Sequence, residues 1–222
     1  MELKNKTAIV TGGNSGLGLQ IVKELKKKKC RVIVVGRKNS DLICDLRDYK
    51  QIKALEKKID KVDILINCAG IGAHQKLEEH DPENVEDIIK TNLLGTIYMT
   101  QLILPKMISQ NSGTILNVSS TSGLMTGGYG SESVYMASKY GVSGFSEGLK
   151  KEMEAEKNNI KVIGFYPGGM KTEFFSKNGQ EKDTSSFMDP NEIAKIIVFI
   201  LERPDSINID HIVINRNKNI VK

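Results

Sequence analysis

The chain has 222 residues, 39% hydrophobic and 27% charged, a balance that excludes a disordered segment and is the size of one globular domain. The net charge of +5 collects in the first fifty residues, which hold 12 basic and 5 acidic side chains; the run Lys26 to Lys29 reads as a solvated helix end, and with no Trp and 5% aromatics no nucleic-acid partner is expected. The longest apolar run, residues 196–201, is far below the ~18 residues of a membrane helix, no apolar stretch of signal-peptide length opens the sequence, and the scattered Cys30, Cys44 and Cys68 fit neither a disulfide framework nor a zinc site, so no membrane partner and a cytoplasmic location are expected.

In chain order, short β-rich runs alternate with longer stretches of helical spacing. A strand over 7–10 leads through a glycine-rich turn into a helix over 16–28. Strands over 31–35 and 42–44 follow, then a helix over 48–59 with Ile52, Leu55 and Ile59 on one face. A strand over 63–67 precedes a helix over 82–110, which has Pro82 in its first turn. Strand 114–118, helix 131–157, strand 161–165, helix 190–202 and strand 211–214 complete the series. Several of these strands are apolar throughout, as strands covered on both faces must be. The alternation argues a single α/β domain over 1–222, a parallel sheet with helices on both faces. Only residues 36–41 separate the second and third strands, about 20 Å of extended chain, so an extended crossover is expected there and not a helix.

The turn Thr11-Gly12-Gly13-Asn14-Ser15-Gly16-Leu17-Gly18 lies between a strand and a helix. Glycines allow the backbone to approach a ligand closely, and the helix amino terminus offers free N–H groups and positive dipole to a pyrophosphate. No Lys follows, as a mononucleotide phosphate loop would need, so a dinucleotide fits better.

From this point the sequence resembles the short-chain dehydrogenase/reductase family. The family's T-G-x-x-x-G-x-G is matched at Thr11, Gly12, Gly16 and Gly18. Asn67-Cys68-Ala69-Gly70 is similar to its N-N-A-G, with Cys68 in place of the second Asn, and Asn92 to Gly95 to its N-x-x-G. Asn117-Val118-Ser119-Ser120 resembles the strand ending in the family's serine, Tyr135 to Lys139 its Y-x-x-x-K, and Pro167 to Thr172 its P-G-x-x-x-T. Tyr49 and Lys53 also satisfy Y-x-x-x-K, but open a lysine-rich helix without a serine strand before it.

The resemblance implies a Rossmann-like, doubly wound parallel sheet of about seven strands. It implies Asn92, Ser120, Tyr135 and Lys139 as catalytic residues: Tyr135 exchanging a proton with the substrate oxygen, Ser120 polarising that oxygen, Lys139 also bonding the nicotinamide ribose, and Asn92 supporting a helix distortion and a water chain. Strand alternation turns Ser119 away from Ser120. Four residues apart on a helix, Tyr135 and Lys139 share a face, and a nearby ammonium is expected to lower the phenol's pKa from ~10. The implied cofactor residues are Gly12, Asn14, Ser15, Gly16, Leu17 and Gly18 of the turn; Arg37 and Lys38; Asp45 and Leu46; Asn67, Ala69 and Gly70; Tyr135 and Lys139; and Pro167, Gly168, Met170 and Thr172. Arg37, where a carboxylate would serve a ribose hydroxyl, favours the 2′-phosphate of NADP over NAD.

Residues 173–189 correspond to the family's substrate lid, where Phe174, Phe175 and Phe187 either line a pocket or anchor packing. Met125, Gly127, Gly128, Tyr129 and Gly130 are expected to border the substrate, and His74, His80 and His211 have no metal-ligand spacing. The expected function is an NADP-dependent oxidoreductase interconverting a carbonyl and a secondary alcohol on a small molecule, as a homodimer or homotetramer. The alternatives are a 3-oxoacyl-carrier-protein reductase, though the terminus lacks V-D-G-G, and, from another class, a catalytically silent dinucleotide-binding regulator.

Overall fold

Seven strands pair side by side: β1 (Thr7–Thr11), β2 (Arg31–Gly36), β3 (Leu42–Ile43), β4 (Ile64–Asn67), β5 (Gly113–Val118), β6 (Ile160–Pro167) and β7 (His211–Ile214). Their order is β3-β2-β1-β4-β5-β6-β7 and every pair is parallel. The computed structural model describes residues 2–73, 75–124, 130–178 and 181–217. His74, Met125, Gly127, Gly128 and Tyr129 therefore lie outside the described residues; Gly130 is described and exposed.

The helices are α1 (Gly16–Lys27), α2 (Tyr49–Ala54), α3 (Pro82–Ile89), α4 (Gly95–Gln110), α5 (Ser133–Ala155), α6 (Phe174–Lys177) and α7 (Pro190–Leu201). Successive strand residues point to opposite faces, and each face has its own core. Ala8 and Val10 pack with Ile21, Leu25, Ile197 and Leu201 from α1 and α7. Ile9 and Leu65 pack on the other side with Ile52, Met99, Ile103, Leu149 and Met153 from α2, α4 and α5. This two-sided burial explains why β1 and β4 lack polar alternation.

The segment 37–41 holds no helix, in agreement with its length. The Asp41 carboxylate accepts from the Val34 amide at 2.8 Å, supplying a partner to β2 beside the two-residue β3. Residues 82–110 follow one helical path in which a π-helical turn, Lys90–Leu94, lies between α3 and α4 and holds Asn92, where the resemblance implies a distortion. Periodicity alone does not register such a one-residue widening. Among the described residues no helix is long and apolar enough to cross a membrane.

The chain winds one way from β1 to β3 and the other way from β4 to β7. The carboxyl ends of β1 and β4 flank the switch point, and an open cleft lies above them.

Candidate active site

A cleft of about 710 Å³ runs over the strand ends from Arg37 and Lys38 at one side to Phe174 and Phe175 at the other. Its floor is set by backbone geometry. Thr11 ends β1, and its hydroxyl accepts from the amides of Cys68 and Ala69 at 3.0 and 3.1 Å, tying β1 to the end of β4. Gly12 adopts φ +67°, and a Cβ there would stand 2.9 Å from the Ala69 Cα. At Gly18 a Cβ would stand 2.3 Å from the Gly12 carbonyl oxygen, so the turn closes onto α1 only with glycine at that position. Asn14 donates to the Lys38 carbonyl at 2.6 Å and joins the turn to the β2–β3 segment.

Almost all the cofactor positions expected from sequence face this cleft: Gly12, Asn14, Ser15, Gly16, Leu17, Gly18, Arg37, Lys38, Asp45, Leu46, Ala69, Gly70, Tyr135, Lys139, Pro167, Gly168, Met170 and Thr172. Asn67 does not. It is 2% exposed and donates to Thr100 Oγ1 at 3.0 Å and Asn117 Oδ1 at 2.9 Å, beneath the floor. Strand alternation turns its side chain into the sheet, where it satisfies a second buried amide. The side chain, expected from sequence at the cofactor, has a supporting place between β4, α4 and β5.

The two acids near the outer end of the cleft are engaged elsewhere. Asp41 serves β2 as described, and Asp45 pairs with Arg47 at 2.6 Å, which holds its carboxyl below the usual range. Arg37, Lys38 and Asn39 are exposed at the mouth.

At the inner end, α5 and the turn after β5 bring Ser120, Tyr135 and Lys139 together. Ser119 turns aside, its hydroxyl donating to the Lys139 carbonyl at 2.9 Å. Ser120 Oγ accepts from the Ser122 amide at 3.1 Å and hydrogen-bonds with the Tyr135 phenol. Lys139 Nζ donates to the Val118 carbonyl at 2.9 Å and lies 5.8 Å from the centre of the Tyr135 ring. Asn92 sits in the π-helical turn and not in the cleft wall. It accepts from the Ile71 amide and donates to the Ile71 carbonyl, both at 2.8 Å, and donates to Ser138 Oγ at 2.9 Å.

Burial governs the proton affinities. It pushes the Tyr135 phenol up to about 12; the Ser120 hydrogen bond opposes this and the Glu132 carboxylate adds to it. Burial brings the Lys139 ammonium down to about 8, with Cys68 opposing. The expectation that Lys139 lowers the tyrosine is therefore corrected: in this apolar surrounding desolvation is the larger effect.

Phe174 and Phe175 line the cleft, and Phe174 tilts against Tyr135 with ring centres 5.9 Å apart. Phe187 packs instead against Phe175, 5.8 Å away. Glu132 also lines the cleft and is 2% exposed. Sequence reasoning missed it, because an acidic residue opening a helix reads as an ordinary first-turn charge. His211, by contrast, bridges Tyr166 and Glu147 at 3.1 Å, away from the cleft.

The tight glycine turn at the start of α1 and the length of the cleft suit a dinucleotide. Comparison with known proteins agrees. The family model for short chain dehydrogenase matches residues 6–183. An uncharacterized oxidoreductase of Staphylococcus saprophyticus is 29% identical, over 96% of this chain and 98% of its own. The closed form of a serine dehydrogenase complexed with NADP+ superposes with a TM-score of 0.85 at 26% identity, covering 94% of each chain. A metagenomic short-chain oxidoreductase in complex with NADP shares the fold, with a TM-score of 0.81 at 22% identity over 96% of this chain and 98% of that one. Sequence, sheet order and cleft thus lead to one assignment: the chain belongs to the short-chain dehydrogenase/reductase family of oxidoreductases.

Proposed function

We propose that this oxidoreductase uses NADP(H) to interconvert a carbonyl and a secondary alcohol on a small molecule. The observation that carries the reading is the meeting of Ser120, Tyr135 and Lys139 at the inner end of the cleft, with Lys139 Nζ 5.8 Å from the centre of the Tyr135 ring. When bound, the nicotinamide supplies or receives the hydride at the substrate carbon. In reduction, the Tyr135 phenol gives its proton to the substrate oxygen while Ser120 holds that oxygen by a hydrogen bond. In oxidation the same groups take the proton back. Lys139, brought down to about 8, exchanges protons near neutral pH and stands beside the phenolate as it forms. Phe174 and Phe175 border the reacting end and keep water from it.

Arg37 supports the choice of NADP. It stands exposed at the outer mouth, where a guanidinium grips a phosphate in bidentate fashion, and the nearby Asp41 and Asp45 are both committed to other partners. The NADP+ complex of the serine dehydrogenase neighbour favours the same cofactor and makes small 3-hydroxy acids the first substrates to try. Assembly into a homodimer or homotetramer through α4 and α5, which expose Ile108 and Tyr140, is part of the proposal, with sedimentation as its check. The three free cysteines suit a reducing cytoplasm.

The test is NADPH oxidation over small ketones and aldehydes, together with NADP+ reduction by 3-hydroxy acids. Turnover of at least one substrate is expected. No turnover in either direction, with cofactor bound, would favour the silent regulator.

A further inference from the structure

Glu132 opens α5 at the position from which an acidic side chain ordinarily caps the first turn. Here it makes no capping hydrogen bond to the helix. Its backbone, at φ −141° and ψ 28°, turns the carboxylate towards the cleft instead, and there it is almost wholly buried. Burying a carboxylate is costly unless it is hydrogen-bonded, so its location calls for a reason.

The geometry of its neighbours supplies one. Glu132 Oε1 accepts from the Ser122 hydroxyl at 3.0 Å. Ser122 is itself buried, and its amide donates to Ser120 Oγ at 3.1 Å. Ser120 in turn hydrogen-bonds with the Tyr135 phenol. A serine hydroxyl has one proton and two acceptor lone pairs. With an amide directed at its oxygen, the Ser120 proton is left to donate outward, to the phenol or to a substrate oxygen. Glu132 thus acts at one end of a chain whose other end is the proton-transfer pair. The same carboxylate lies within electrostatic reach of the phenol from one side.

We propose that Glu132 is a positioning residue for the proton-transfer pair: through Ser122 it fixes the direction in which Ser120 donates, and its carboxylate is held in the cleft that Tyr135 lines. This rests on Ser120 and Tyr135 being the proton-transfer pair of the proposed function. Among the described residues, the titratable groups around the phenol are Glu132 at the N-cap of α5, Lys139 on α5, and Cys68 on the segment after β4, which faces Lys139. Glu173 and Lys177 stand at the exposed rim beside α6, paired with each other at 2.8 Å. Phe174 adds an apolar face. Among these groups Glu132 is the near negative charge that acts on the phenol, and it opposes the formation of a phenolate.

The test follows Tyr135 directly, by NMR of protein carrying ¹³C at the tyrosine ring carbon bonded to oxygen, saturated with oxidised cofactor and assigned with Tyr135→Phe. Glu132→Gln retains an oxygen for Ser122 and removes only the charge. It is expected to lower the Tyr135 titration midpoint, and to shift the alkaline-side rise of oxidation downward in pH with it. Ser122→Ala keeps the charge and cuts the tie; it is expected to leave the midpoint in place and lower kcat for reduction on the order of tenfold, with little change in KM. Glu132→Asp, which keeps the charge, is expected to hold the wild-type midpoint and serves if Glu132→Gln does not fold. An unchanged midpoint in a folded Glu132→Gln protein overturns the proposal. Should that occur alongside turnover that depends on Tyr135, the oxidoreductase reading stands and only the role of Glu132 is lost.

Discussion

Tyr135 and Lys139 lie one turn apart on α5, and burial moves both towards their neutral forms, the phenol up to about 12 and the ammonium down to about 8. The stability consequences have opposite signs. Between about 8 and the ordinary lysine value of 10.5, the unfolded chain holds a proton on Lys139 that the folded chain has lost, so this residue makes stability rise with pH across that window. For Tyr135 the folded chain keeps its proton longer, so stability falls as pH rises from 10 towards 12. Lys139→Met is therefore expected to remove a rising component from the melting curve measured between these lysine values. Wild-type and variant melting temperatures that run parallel from pH 8 to 10 would contradict the assigned shift.

At the same scale, Gly18 is a steric requirement. A methyl group there meets the Gly12 carbonyl at 2.3 Å, so the turn must open. Gly18→Ala is expected to destabilise the fold by about 1–3 kcal/mol and to abolish the thermal shift produced by cofactor. A variant that melts and binds as the wild type does would show that the turn tolerates a side chain.

At the scale of elements, Asn92 holds the π-helical turn to the strand-end segment. Three hydrogen bonds, two to Ile71 and one to Ser138, leave its side chain fully partnered in a buried place. Asn92→Ala strands the Ile71 amide and carbonyl, and a loss of about 1–3 kcal/mol is expected in denaturant unfolding. Equal midpoints would contradict the bracing role. The main elements were legible because their signals are simple: continuous apolar runs for doubly covered strands, and helical spacing such as Ile52 and Leu55 for the helices. The missing β2–β3 helix was legible from length alone. The π turn was not legible from periodicity, since one inserted residue leaves the apolar pattern of 82–110 nearly intact; the resemblance at Asn92 alone pointed to a distortion there. The four residues of α6, inside a polar stretch, are too few to show a period. Asn67 sat in a matched motif, yet which of its strand's faces meets the cleft depends on register with β5, where it pairs with Asn117.

At the scale of the whole molecule, the strand order places the turn after β1, the segment after β4 and the turn after β5 around one cleft, and these are the places where the sequence motifs fall. Glu132 escaped the sequence reading because its importance comes from neighbours more distant in the chain, Ser122 and Ser120. In the proposed function, the outer end of the same cleft sets cofactor choice. NADPH is expected to raise the melting temperature more than NADH, and Arg37→Ala to lose most of that advantage, since a charged hydrogen bond contributes about 1.5–3 kcal/mol. Equal shifts by the two cofactors in the wild type would remove Arg37 from the account of specificity.

The central claim is that a proton passes between Tyr135 and the substrate oxygen in a nicotinamide-dependent oxidation or reduction. Its most direct measurement is single-turnover NADPH oxidation by wild-type protein and by Tyr135→Phe, on a substrate the wild type reduces, with cofactor binding followed in parallel. The expected result is a rate loss of roughly 10²–10⁴-fold with cofactor affinity retained. Turnover by Tyr135→Phe at the wild-type rate would contradict it.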